Sequence, residues 1–123
     1  MTSTWASLRW AVQRRSARNP RYEAVRAAAE TLGIPLVELA NDRTLGNRVD
    51  AIAHDHADEL LVLLPSVGVG RLARESSRVC FIKGRVRASA VSPSTVVYIG
   101  SQPDAFAAAF RPLGIIVELE AAA

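Results

Sequence analysis

Leu60-Leu61-Val62-Leu63-Leu64-Pro65 is apolar at every position, with no alternation between a wet face and a dry one. A strand of that composition is covered on both sides, the pattern of a parallel strand lying between layers of helices. The run is also far short of the roughly 20 apolar residues that cross a bilayer. Immediately upstream, residues 42–59 place Leu45, Val49, Ile52, Ala53 and Ala57 at helical spacing. Before that helix, residues 36–39 have strand length and close on the polar Asn41-Asp42.

Farther out the alternation of elements continues. Tyr22, Val25, Ala28, Ala29 and Leu32 define the apolar face of a helix over 21–32, opened by Pro20 and stopped by Gly33. Trp5, Leu8 and Val12 mark an amphipathic helix over 4–17. Downstream, strands are expected at 79–82, 95–99 and 115–119, and helices at 69–77 and 104–110. Helices alternating with strands predict an α/β layer sandwich with a mainly parallel sheet, residues 34–120, behind an N-terminal helical extension, residues 1–33. Leu61, Leu63, Val79, Phe81, Val97 and Ile116 are its expected buried strand residues.

At 123 residues, half of them hydrophobic and 22% charged, the chain has the balance of one folded domain and not of a disordered tail. No secretory leader pattern opens it, and its single cysteine, Cys80, excludes an internal disulfide. A cytosolic protein without membrane attachment is the expectation. The net charge of +3 is unevenly laid out: residues 1–33 carry +4, 34–70 carry −4, 71–87 carry +5, and the remainder −2. A basic stripe beside an acidic stretch suits an anionic partner such as nucleic acid, and equally a solvated arginine-rich surface.

Chemistry-bearing candidates are few. His54-Asp55-His56 has metal-binding residue types, but side chains two apart on a helix point about 200° apart, so the pair reads as polar residues at a helix end and no metal is expected. Gly68-Val69-Gly70 follows a strand and opens a helix, where a glycine turn can bring backbone N–H groups to a phosphate or adenosyl group, though a plain turn explains it as well. Cys80, inside an apolar strand, reads as a small core hydrophobe. Phe81-Ile82-Lys83-Gly84-Arg85-Val86-Arg87 runs an apolar strand into three cations around a glycine, which at a strand's carboxyl end sets Lys83, Arg85 and Arg87 where α/β folds take ligands, phosphates above all.

Four segments taken together carry a resemblance: the Leu60 to Pro65 run; Arg78-Val79-Cys80-Phe81-Ile82-Lys83-Gly84-Arg85-Val86; Ser92-Pro93-Ser94-Thr95-Val96-Val97-Tyr98-Ile99-Gly100; and Phe106 to Gly114. In order and spacing, over about residues 60–117, they resemble the C-terminal half of the phage-type DNA N-6-adenine methyltransferases. The resemblance implies a methyltransferase-like (Rossmann-like) fold, DNA as partner, S-adenosylmethionine as cofactor, and transfer of a methyl group to an adenine amine. In that family an Asn/Asp-Pro-Pro-Tyr motif accepts hydrogen bonds from the flipped amine and stacks an aromatic on the base. In one placement the matching position holds Asn41-Asp42-Arg43-Thr44; in another, residues 36–41 align with the family's other strand, near the cofactor, and the motif is missing outright. Asn41, with Asp42 as a second acceptor, is the catalytic candidate that the resemblance implies, but both prolines and the aromatic are missing. A diverged or truncated relative acting on or near DNA is the first expectation. A non-catalytic nucleic-acid-binding module and a small homo-oligomeric interaction protein are the others.

Overall fold

The computed structural model describes residues 20–72, 76, 78–83 and 94–118. The expected helix over 4–17 and the candidates Arg85 and Arg87 lie outside them. In chain order the elements are helix α1 (Pro20–Leu32), strand β1 (Leu36–Glu38), α2 (Leu45–His54), β2 (Leu60–Pro65), a 3-10 turn (Ser66–Gly68) running into a short α3 (Val69–Leu72), β3 (Arg78–Ile82), β4 (Ser94–Ile99), α4 (Pro103–Phe110), a second 3-10 turn (Arg111–Leu113) and β5 (Gly114–Glu118).

The five strands form one sheet in the order β1-β2-β4-β3-β5. Only β1 and β2 pair in parallel, and the three other pairings are antiparallel. The sheet is therefore mixed, which corrects the mainly parallel one expected from the alternation of elements. β1, β2 and β3 run one way; β4, inserted between β2 and β3, runs the other way, as does β5. The carboxyl ends of β1, β2 and β3 thus share one end of the sheet with the starts of β4 and β5.

Strand alternation divides the core into two layers. On one face Leu36, Leu61, Leu63, Cys80, Ile82, Val96 and Tyr98 pack against Tyr22, Val25 and Ala29 of α1 and Phe106 and Phe110 of α4. The helix over 20–32 is thereby part of the layered core. On the other face Val37, Leu39, Leu60, Val62, Leu64, Val79, Val97 and Ile99 pack against Leu45, Val49 and Ile52 of α2 and Leu72 of α3. The covering of β2 on both sides, read from its unbroken apolar run, is what the structure has.

That second face is not covered across its whole width. One row of residues crosses it from strand to strand, Leu64 on β2, Thr95 on β4, Phe81 on β3 and Ile115 on β5. Leu64 and Thr95 are buried, whereas Phe81 and Ile115 are exposed. Phe81 is thus not the core residue that its apolar strand suggested: Val79, two residues earlier on the same face, is buried in the core with α2 and α3, but that cover does not extend over Phe81. Ile116, expected buried, is half-buried against the first core; Leu61, Leu63, Val79 and Val97 are buried as expected.

Three local contacts fix the frame. Gly33, at φ 69°, ends α1: its N–H bonds the Glu30 carbonyl and the Ile34 N–H bonds the Ala29 carbonyl, a Schellman closure. The Tyr98 hydroxyl donates to Glu59 Oε2 (2.9 Å) and accepts the Gln102 N–H (2.8 Å), joining the end of β4 to the starts of β2 and α4. Its ring stacks on Phe106, which stacks on Phe110.

Candidate nucleic-acid interface

The end of the sheet where β1, β2 and β3 finish gathers the residues singled out in the sequence. Asn41 and Asp42 follow β1, Ser66 to Gly68 follow β2, and Lys83 follows β3. β1 and β3 are three strand spacings apart, about 14 Å. Asn41 and Lys83 therefore share an end without sharing a pocket.

Asp42 is engaged in local structure. Its Oδ1 accepts the Thr44 N–H (2.8 Å) and the Thr44 hydroxyl, and its carbonyl accepts the Leu45 N–H (3.1 Å), so it shapes the turn that opens α2. Asn41 is exposed, as are Arg43 and Thr44. A flipped base needs a dry slot with an aromatic wall, and the described residues around Asn41 supply neither. Gly68 is not a cofactor cradle: a Cβ there would meet the Leu64 side chain at 3.1 Å and that of Leu45 at 3.5 Å, so its missing side chain serves packing.

Cations at this end are a different matter. Arg43 lies in the β1–α2 turn, Arg48 in the first turn of α2, Lys83 beyond β3, and Arg111 in the turn before β5. All four are exposed, and none has an ion-pair partner among the described residues. Lys83 and Arg111 are held near each other, because the Lys83 N–H extends the β3–β5 ladder to the Leu113 carbonyl (3.0 Å).

The opposite end is acidic. It carries Asp55 and Asp58 in the α2–β2 loop, Glu59 just before β2, Asp104 at the start of α4 and Glu118 at the end of β5. Arg78, the first residue of β3, sits there and is paired with two carboxylates, Asp104 at 3.2 Å and Glu118 at 3.8 Å. The basic stretch of residues 71–87 is therefore not one surface: five extended residues carry Arg78 and Lys83 about 17 Å apart, to opposite ends of the sheet.

Sequence reasoning missed Arg43, Arg48 and Arg111, which chain distance separates and the fold collects. The available signal was position, since each stands beside a strand's carboxyl end or the start of a reversed one. It also read residues 34–70 as an acidic face, whereas their arginines stand at one end of the sheet and Asp55, Asp58 and Glu59 at the other.

Other candidates lie elsewhere. His54 is the exposed last residue of α2, and half-buried His56 sets Nδ1 2.8 Å from the Ala57 carbonyl; among the described residues no group of three or more His, Cys, Asp and Glu is arranged to hold a metal. Cys80 is buried, its Sγ donating to the Phe110 carbonyl (3.6 Å), and burial pushes its pKa up to about 11, away from nucleophilic use. A groove of about 360 Å³ between α1 and the entry to β1, lined by Tyr22, Arg26, Glu30 and Ile34 among others, opens at the end remote from Asn41. No described helix is long and apolar enough to cross a membrane. Comparison with protein-family models, with curated proteins and with solved structures finds no match.

Proposed function

We propose that this chain is a DNA-associated domain built on the plan of the C-terminal half of the phage-type adenine methyltransferases, holding the phosphodiester backbone at the carboxyl end of its sheet. The observation that carries the proposal is the gathering of exposed Arg43, Arg48, Lys83 and Arg111, none with an ion-pair partner among the described residues, at an end where Asp42 is the exposed acid, while Asp55, Asp58, Glu59, Asp104 and Glu118 stand at the other. Unpaired cations keep their full attraction for phosphates, and acids set a sheet's length away repel the polymer least. Four cations spread from beside β1 to beside β5, four strand spacings or about 19 Å, match roughly five to six nucleotides of one strand at 3.4 Å each. Arg85 and Arg87 stand two and four residues after Lys83 in the sequence.

The sequence segments from Leu60 to Gly114 support the family part of the proposal, and the sheet is mixed, with β4 reversed between β2 and β3. In the same frame Asn41 follows the strand that would carry the amine-binding turn. With Asp42 committed to Thr44 and no aromatic wall, the domain holds DNA without transferring a methyl group itself. The purified protein is expected to leave adenine unmethylated in an assay with labelled S-adenosylmethionine. Methyl transfer lost in Asn41→Ala would overturn the non-catalytic part.

Duplex binding tests the rest. Affinity is expected to fall steeply with salt, each neutralised phosphate contact contributing about −0.9 to the slope of log K against log salt. Lys83→Gln combined with Arg111→Gln should flatten that slope by about 2, uniformly across DNA sequences, because phosphate contacts position a protein without reading bases. Absence of duplex affinity at low salt, or an unchanged slope in the double variant, would overturn the DNA reading.

A further inference from the structure

We infer that the open β3–β5 face is a stacking platform for an unpaired base, with Phe81 as the ring and Lys83 as the phosphate anchor, so that the domain prefers single-stranded to duplex nucleic acid. This rests on the nucleic-acid reading above and names the form of the polymer.

Three observations converge. Among the described residues the exposed large apolar side chains are Val67, Phe81 and Ile115, at 74%, 37% and 58% exposure. All three lie at the carboxyl end of β1, β2 and β3, where the unpaired cations are, and none at the acidic end. Exposed apolar groups scattered by chance would not follow the sign of the charge. Second, Phe81 and Ile115 are direct cross-strand partners on one face, with buried Thr95 on the other side of Phe81. The ring is therefore held by two strands while one side of it stays open. Third, the β3–β5 ladder continues through the Lys83 N–H, so strand alternation sets Lys83 on the face of Phe81, two residues on.

Charge complementarity selects the occupant. An apolar peptide, or a second copy of this chain joined through the same patch, would bury Phe81 and Ile115 but would also have to cover Lys83 and Arg111 without compensation. A single strand offers both parts at once, a base for the ring and a phosphate for each cation. A duplex keeps its bases stacked inside and uses only the cations.

The experiment is a fluorescence anisotropy titration of the whole chain with a labelled oligothymidylate and with a duplex of the same length, at fixed low salt. The wild type is expected to bind the single strand more tightly. Phe81→Ala should weaken single-strand binding about 5- to 150-fold, the affinity equivalent of one base–aromatic stack, and leave duplex binding and its salt slope unchanged. Phe81→Leu, which keeps apolar bulk and has no ring face, should behave as Phe81→Ala does, and Phe81→Trp should retain or improve binding. Unchanged single-strand affinity in both Phe81→Ala and Phe81→Leu, with duplex binding intact, overturns the platform and leaves the DNA reading standing. A dimer in sedimentation velocity that Phe81→Leu dissociates overturns it in favour of a second copy. Failure of the wild type to bind either nucleic acid removes the DNA reading and the platform together.

Discussion

Cys80 and Tyr98 show how burial sets the chemistry of single residues. Both point into the layer under α1 and α4, and for both desolvation is the largest cause of a raised pKa; for Cys80 the value reaches about 11. A raised pKa in the folded chain means that the folded form keeps a proton the unfolded form has begun to lose. The associated stability is complete below pH 9 and is lost as pH rises toward 11. Unfolding in urea is therefore expected to become easier over that window, and Cys80→Ala should leave only the share due to Tyr98. In the native state the thiol should resist maleimide at pH 7.5 and react only on unfolding. The burial of Cys80 was legible in the sequence because its strand neighbours are apolar. The exposure of Phe81, one residue on, was not: alternation separates two faces but does not say how far the helices above one of them extend. Since Phe81 is already partly in water, Phe81→Ala is expected to cost less than the roughly 3–5 kcal/mol of a fully buried phenylalanine.

Elements were legible in kind and nearly in extent, their directions less so. β2 was recognisable from composition and α2 from its 3.6-residue period, but a strand has the same hydrophobic pattern whichever way it runs, so β4 gave no sign of its reversal by pattern. Spacing did hold one: parallel neighbours need a crossover of a dozen or more residues, commonly a helix. The eleven residues from 83 to 93 show no helical apolar period. The expected end of α1 at Gly33 was legible for a sound reason, since only glycine takes φ 69° without penalty. Gly33→Ala is expected to lower stability by about 1–2 kcal/mol, read as a shifted urea midpoint at constant m-value. Gly114→Ala should cost roughly 1–3 kcal/mol, because its Cβ would stand against the Phe81 carbonyl and push β5 from β3.

For the whole molecule, what matters is that charge is sorted by end and not by segment. The sequence showed alternating basic and acidic stretches, and the fold rearranges them: Arg43 and Asp55 are close in the chain and at opposite ends of the sheet, whereas Arg43 and Arg111 are far apart in the chain and share an end. Of the candidate interface only Lys83, and Arg85 and Arg87 beyond it, could be named beforehand, because a cation run directly after a strand is visible in one dimension and a cluster drawn from three separate stretches is not. The sorting separates two expectations. If net charge alone governed DNA affinity, Asp55→Asn with Asp58→Asn would strengthen binding as much as Lys83→Gln with Arg111→Gln weakens it. With the cations in contact and the acids remote, the acidic pair should leave the salt slope unchanged.

The insertion of β4 between β2 and β3 also has a consequence for synthesis on the ribosome. β2 is wholly apolar, and the neighbour that completes its pairing is made only after β3, which goes to the far side of that neighbour. At roughly 5–20 residues per second the chain needs about two to seven seconds to advance from the end of β2 to the end of β4. Throughout that interval the nascent polypeptide carries a greasy strand with one side unzipped, so the sheet closes late and from the middle, and a chaperone binding apolar extended segments would find its target there.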